Sequence, residues 1–286
     1  MALSPIPVSA VPRRGPSRPV PLLTVVGLVL ALLVPVLPLD PAAAAARPTL
    51  TAPTAVDART KVRLRGTAPA RTGVVVQVRV GKRWAPLGEA TASAKGRWST
   101  TVLFRTAGTA TVRALVGKRA SRVRTIDVYD WIDLAPQPFV SEAAGRDVPL
   151  QIGGRSYPHS IQAVDPGTYW PAAWRLDGAC TDLRATVGFL DPERSTSDQD
   201  ETIQTRAIGQ RADDTNGPLI GPVDSTWDAP GRLRLSGLRS FDRILVVLGI
   251  TDPGDNDNLS GALGTPQARC RVPALPPLQV SDFPSA

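Results

Sequence analysis

Leu183-Arg-Ala-Thr-Val-Gly-Phe189 places Leu, Ala, Val and Phe at every second position, with Arg, Thr and Gly between them. A β-strand turns successive side chains to opposite faces, so the stretch reads as a strand with one apolar face inward and one polar face outward. The same reading extends to residues 147–152, 173–176, 202–208, 231–235 and 243–250. Within the last of these, Ile244-Leu-Val-Val-Leu248 does not alternate and is expected to be buried on both faces.

The first half of the chain repeats the pattern in Lys61-Val-Arg-Leu-Arg65, Val74-Val-Val-Gln-Val-Arg-Val80, Trp98-Ser-Thr-Thr-Val-Leu-Phe104, Thr109-Ala-Thr-Val-Arg-Ala-Leu115 and Arg122-Val-Arg-Thr-Ile-Asp-Val128. Glycines at 66, 73, 81, 96, 108 and 117 punctuate it, and no stretch carries helical periodicity. Five short strands in so small a span predict an antiparallel sandwich. The 29 Pro and 24 Gly of the 286 residues argue against any long helical bundle.

Charge divides the chain. Residues 47–128 hold 17 Lys/Arg against three acids (Asp57, Glu89, Asp127), whereas residues 129–286 hold 13 Arg against 21 Asp/Glu. The asymmetry, net +14 beside net −8, points to two domains. Arginine alternating with valine in the first puts guanidinium groups on the solvent face, which suits adhesion to anionic polymer or an ordinary solvated surface. No aromatic-interleaved basic motif or helix-based reader is present, so specific nucleic-acid recognition is not expected.

The chain has one histidine, His159, and two cysteines, Cys180 and Cys270, too few for a zinc site of either kind. No G-x-S-x-G elbow, GxGxxG or GxxxxGK[ST] loop occurs. The run Asp252-Pro-Gly-Asp-Asn-Asp-Asn258 suits calcium chemically but departs from EF-hand spacing, since the twelfth position is Leu263. It is read as a solvated turn, as are Asp198, Asp200 and Glu201, and no metal or cofactor is expected.

Residues 1–46 read as a secretory signal: Arg13, Arg14 and Arg18, then a nearly continuous Leu/Val/Ala run over 22–39, then Ala42 to Ala46 for cleavage. An uncleaved anchor is the alternative, and the only membrane association expected. Export predicts that Cys180 and Cys270 form one disulfide, two buried thiols being the other reading.

Gly81-Lys-Arg-Trp84, Ala94-Lys-Gly-Arg-Trp98 and Thr111-Val-Arg-Ala114 resemble bacterial Ig-like domains, in which the Trp after a Gly-rich turn packs between sheets. Val128-Tyr-Asp-Trp-Ile-Asp-Leu134, Gly153-Gly-Arg-Ser-Tyr-Pro-His-Ser160, Trp174-Arg-Leu-Asp-Gly178, Leu183 to Asp191 and Phe241-Asp-Arg-Ile-Leu-Val-Val-Leu248 resemble, in that order, the NPCBM family. Those are carbohydrate-binding modules found beside family-98 glycoside hydrolases. Cys180 and Cys270 resemble the cysteine pair of its actinobacterial subgroup. The chain departs from the family pattern at Ser160, at the long Asp213-Asp-Thr-Asn-Gly217 turn and at Leu263-Gly264.

Together with the strand pattern and the signal-like segment, the resemblance gives an expected all-β protein: a signal at 1–46, an Ig-like sandwich at 47–128, a jelly-roll sandwich of the galactose-binding-like kind at 129–272, and a flexible tail at 273–286. It implies a secreted or cell-envelope protein, not an enzyme and expected as a monomer, that binds glycan or cell-wall polysaccharide. A structural or adhesive protein acting through its basic domain is the alternative. Sugar rings stack on aromatic faces, so the loop aromatics are the candidate ligand contacts: Trp170 first, then His159, with Tyr157, Tyr169 and Trp227. Trp174 alternates in phase with Leu176 and is assigned to the core.

Overall fold

The computed structural model describes residues 47–278 apart from 142–143, 164–169, 194–200, 214 and 252–259. These residues form β1 (Ala55–Asp57), β2 (Lys61–Thr67), β3 (Gly73–Val80), β4 (Arg83–Thr91), β5 (Arg97–Leu103), β6 (Gly108–Val116), β7 (Arg119–Ala120), β8 (Arg124–Asp133), β9 (Ala144–Ile152), β10 (Arg155–Ala163), β11 (Trp170–Arg175), β12 (Cys180–Phe189), β13 (Thr202–Gln210), β14 (Asn216–Ser225), β15 (Gly231–Ser236), β16 (Arg243–Thr251) and β17 (Gly261–Cys270). The protein is all-β, as the alternation requires. Among the described residues no helix is long and apolar enough to cross a membrane.

In the first sandwich, β2 pairs with β5 and lies over the sheet β4-β3-β6-β8, with β1 added in parallel to β8. Val62, Leu64, Trp98 and Val102 from one layer meet Val74, Val76, Val112, Ala114 and Ile126 from the other. Lys61, Arg63 and Arg65 point the opposite way, into solvent. Trp98 packs between the layers, 3% exposed. Trp84 does not: it stays half-buried, with the Arg113 guanidinium 4.1 Å above its ring.

The second sandwich sets β9-β10-β17-β12-β15 against β11-β16-β13-β14. Leu183, Val187, Phe189, Leu233 and Leu263 interleave with Trp174, Ile203, Ile244, Val246 and Leu248. Trp174 is fully buried and donates its indole N–H to the Leu134 carbonyl at 3.2 Å. Leu245 and Val247 are half-buried, so the run at 244–248 has one core face and one partly wet face where sequence had predicted two buried ones. The Cys180–Cys270 disulfide, which closes a separation of 90 residues, ties the start of β12 to the end of β17.

No linker separates the sandwiches. Residues 124–128 of β8 pair with β6, and residues 130–133 of the same strand pair with β17. The expected junction at 128/129 therefore falls inside a continuous strand. Around it, Asp57 and Asp127, two of the three acids of the basic half, meet arginines of the acidic half: Arg269 bonds Asp57, while Arg239 and Arg271 pair with Asp127. Arg59 pairs in return with Asp130. Arg269 also lies 4.4 Å over the Tyr129 ring.

β17 was not legible as a strand because it holds Gly264 and Pro266. Its free edge serves two partners in succession, β10 at residues 262–264 and β8 at 267–270. Pro266 sits where the edge changes partner, at an irregularity that needs no N–H from it, which is where a sheet tolerates proline. Nor does the chain leave the sandwich at Val272. Leu275 is 4% exposed within the core, and its N–H is held by Gln137 at 2.9 Å, so the expected tail from 273 begins as a packed segment.

Candidate functional site

β12 and β15 face the core with Leu183, Ala185, Val187, Leu233 and Leu235, so their intervening residues must face out. Register then brings those residues together: Arg184 lies opposite Arg234, and Thr186 opposite Arg232. Gln267 of β17 sits opposite Arg184 on the other side and Asp133 of β8 opposite Gln267.

A hairpin builds a wall on this polar face. β9 and β10 turn at Gly153-Gly154, whose two N–H groups both donate to the Asp191 carboxylate at 2.7 and 2.8 Å. The pinned turn lays Ile152 and Tyr157 over the outer face at Gly188 and Gly264, where no side chain opposes them. Pro230, from the loop between β14 and β15, closes on Gly188 from the other side. Between wall and sheet runs an open groove of about 590 Å³ lined by Arg155, Tyr157, Arg184, Thr186, Asp228, Arg232, Arg234 and Gln267 among others.

The Arg184 head is fixed in place. Its Nε and one terminal nitrogen donate to Gln267 Oε1 at 3.0 and 2.7 Å, and its carbon lies 4.0 Å over the Trp131 ring. Gln267 in turn donates its amide to Asp133 at 2.7 Å. Arg155, Arg232 and Arg234 have no ion-pair partner among the described residues.

The expected ligand residues do not converge. Tyr157 lines the groove, its half-buried ring lying over Gly264. His159 is on the same strand but outside the groove lining, exposed and 2.8 Å from Asp147. The hydrogen bond that the imidazole donates to Asp147 raises its pKa above the ordinary histidine value, against an opposing effect of burial and with added attraction from the Asp147 and Asp133 charges. Trp227 is a core residue: it is 4% exposed and stacks on Phe189 with ring centres 4.5 Å apart, leaving no face for a sugar. Trp170 opens β11 opposite Leu248, but its side chain and the whole of Tyr169 lie outside the described residues. The same holds for residues 1–46, for Asp252 to Asn258, and for Asp198 and Asp200, while Glu201 is buried. Among the described residues no three His, Cys, Asp or Glu side chains gather to hold a metal.

No family model matches the chain and no curated protein matches it. Among solved structures it is similar to the tandem CBM51 modules of the family 98 glycoside hydrolase from Streptococcus pneumoniae, with 10% identity, 77% of this chain and 83% of that one covered, and a TM-score of 0.38. It is similar also to a CBM22 tandem domain from Paenibacillus barcinonensis, with 9% identity, coverage of 74% and 79%, and a TM-score of 0.32. Tandem carbohydrate-binding modules are thus among its structural neighbours. A superoxide reductase from Ignicoccus hospitalis is another, with 15% identity, 29% of this chain and 81% of that one covered, and a TM-score of 0.24. Likeness at these scores carries no inference about function, which has to come from the groove itself.

Proposed function

We propose that this is an exported, non-catalytic glycan-binding protein of the cell exterior or envelope, and that the groove beside Tyr157 is its binding site. The observation that carries the reading is the groove: an open channel on a sheet face, with Tyr157 in its wall and a polar floor in which Arg184 and Gln267 are held by hydrogen bonds. Sugar recognition asks for an aromatic or apolar surface beside the ring, with hydrogen-bonding groups around its hydroxyls. Tyr157 and Pro230 supply the first, and Thr186, Gln267, Asp228 and the arginines supply the second. The signal-like segment at 1–46 and the disulfide support export.

The test is affinity electrophoresis of the whole protein in gels holding soluble polysaccharides, with pull-down on purified cell wall. Retardation by at least one glycan is expected, together with its loss in Thr186→Trp, which fills the groove from an outward position and leaves the core alone. Equal retardation of Thr186→Trp would remove the site from the groove. Absence of binding to any glycan or wall preparation would remove the function.

A second reading rests on a separate observation. Lys61, Arg63 and Arg65 form an exposed row on β2 beside an open cleft of about 550 Å³, a surface suited to an electrostatic adhesin. In that case retention on anionic material follows the row, disappears in high salt, and is unaffected by Thr186→Trp.

A further inference from the structure

We infer that the groove selects acidic glycans, chains whose sugars carry carboxylate or sulfate groups. The inference rests on the glycan reading above and names its substrate class.

Residues 129–286 are acidic as a whole, yet the groove cut into them is lined by four arginines and one aspartate. Arg184 and Arg234 are direct cross-strand neighbours and Arg232 is two positions along, so the three arginine-bearing positions sit within roughly 5–8 Å of one another by strand spacing. Like charges placed opposite each other on a sheet repel. A folded protein relieves that by interleaving carboxylates. Here Asp228 is the one carboxylate in the described lining, against four arginines, and other described carboxylates of this half are turned to other partners: Asp191 to the Gly153-Gly154 turn, Asp133 to Gln267, and Asp147 to His159.

The positive charge is therefore left for something outside the protein. Guanidinium groups present paired N–H donors that match carboxylate and sulfate oxygens in a planar, bidentate manner. Arg184 is already oriented by Gln267 and Trp131, so it loses little freedom on meeting such a group. A neutral sugar would occupy the channel and leave three arginines unanswered. An anionic sugar places its ring against the Tyr157 wall and its charge against the Arg232–Arg234 floor, and so uses both.

The probes are polygalacturonate for carboxylate and heparin for sulfate, with dextran and a neutral galactan as uncharged controls and polyglutamate as a charged polymer without sugar. The whole protein is compared with Arg232→Gln/Arg234→Gln and with Lys61→Ser/Arg63→Ser/Arg65→Ser, a control on the other basic surface. The expected result is a preference of about tenfold or more for an acidic glycan over both neutral ones and over polyglutamate, as charge-assisted hydrogen bonds imply. The groove double variant abolishes the preference without lowering the melting temperature, and the β2 variant retains it. If neutral glycans bind as tightly as acidic ones, the charge selectivity is overturned while the glycan reading stands. If polyglutamate binds as well as any glycan, or if the β2 variant alone abolishes binding, both fall together. Relative affinity for polygalacturonate and heparin says which anionic group the site prefers.

Discussion

Replacing Trp227 by alanine tests whether the aromatic beside the groove belongs to the core or to a ligand. The indole is 4% exposed and lies nearly parallel to the Phe189 ring, 15° between planes and 4.5 Å between centres. Removing a buried Trp side chain costs about 3–5 kcal/mol, the stacking contribution included. For a chain of this size each kcal/mol moves the melting temperature by about 2–4 °C, so Trp227→Ala is expected to melt about 6–20 °C below the natural protein. Near-UV circular dichroism follows the transition. Glycan retention, measured well below the lower melting point, shows whether the groove survives. Because Asp228 and Pro230 of the same loop line the groove, weakened binding in the alanine variant has an indirect explanation. Trp227→Phe removes that ambiguity by keeping an aromatic ring on Phe189, and it is expected to recover most of both stability and binding. An alanine variant that melts within about 1 °C of the natural protein yet no longer binds would refute the placement, because a core Trp cannot be lost so cheaply.

Reducing the Cys180–Cys270 bond, or replacing both residues by Ser, releases a loop of 90 residues, for which the chain-entropy model gives about 4–5 kcal/mol. Melting with and without reductant should therefore differ by up to about 20 °C, and coincident curves would deny the bond a stabilising role. At the junction, Asp127→Asn leaves Arg239 and Arg271 without their shared carboxylate; both arginines are partly exposed, so the expected loss is about 1 kcal/mol, read from urea midpoints. A double-mutant cycle with Arg239→Gln should return a coupling of similar size, and a coupling near zero would mean that the ion pair joins nothing. His159 should titrate above its usual range by proton NMR and return to it in Asp147→Asn. Since its folded value is the raised one, the stability it lends is fully present below about pH 6.5 and is lost as pH rises through the folded value; a titration unchanged by Asp147→Asn would contradict the pairing.

The strands that alternate cleanly were readable in advance because burial of one face is what their sequence records. β2 shows exposed and buried positions in strict turn, and β15 shows the same with Arg232 and Arg234 outermost. Several strands that hold proline were not readable, although β9, with Pro149, was. β4, β14 and β17 carry Pro86, Pro218 with Pro222, and Pro266, and in each the proline lies on an edge strand or near an irregularity that the neighbouring strand alone defines. The site failed to declare itself for a different reason. A search for aromatics on loops looks away from a groove on a sheet face, and a net charge summed over residues 129–286 hides a local excess of the opposite sign. The usable signs were Tyr157, already among the candidate ligand contacts, and Gly231-Arg-Leu-Arg-Leu235, which puts two arginines on the same outer face. That Arg184 stands beside them depends on strand order, which no single stretch contains.

The groove owes its shape to missing side chains as much as to those present. A Cβ on Gly188 would stand 2.4 Å from Ile152 Cγ2, and one on Gly264 would stand 2.8 Å from the Tyr157 ring. Both glycines face the hairpin that Asp191 pins, so the smallest residue at each position lets that hairpin settle onto the sheet and stay there. Larger residues would lift it away from the sheet. The same strands, β12 and β17, are clamped together by the disulfide at their far ends, so the floor is held by a covalent tie and the wall by close backbone approach. Glycines that read locally as weak points in strands thus become, once β12 and β17 are neighbours, the condition for having an aromatic wall beside an arginine floor.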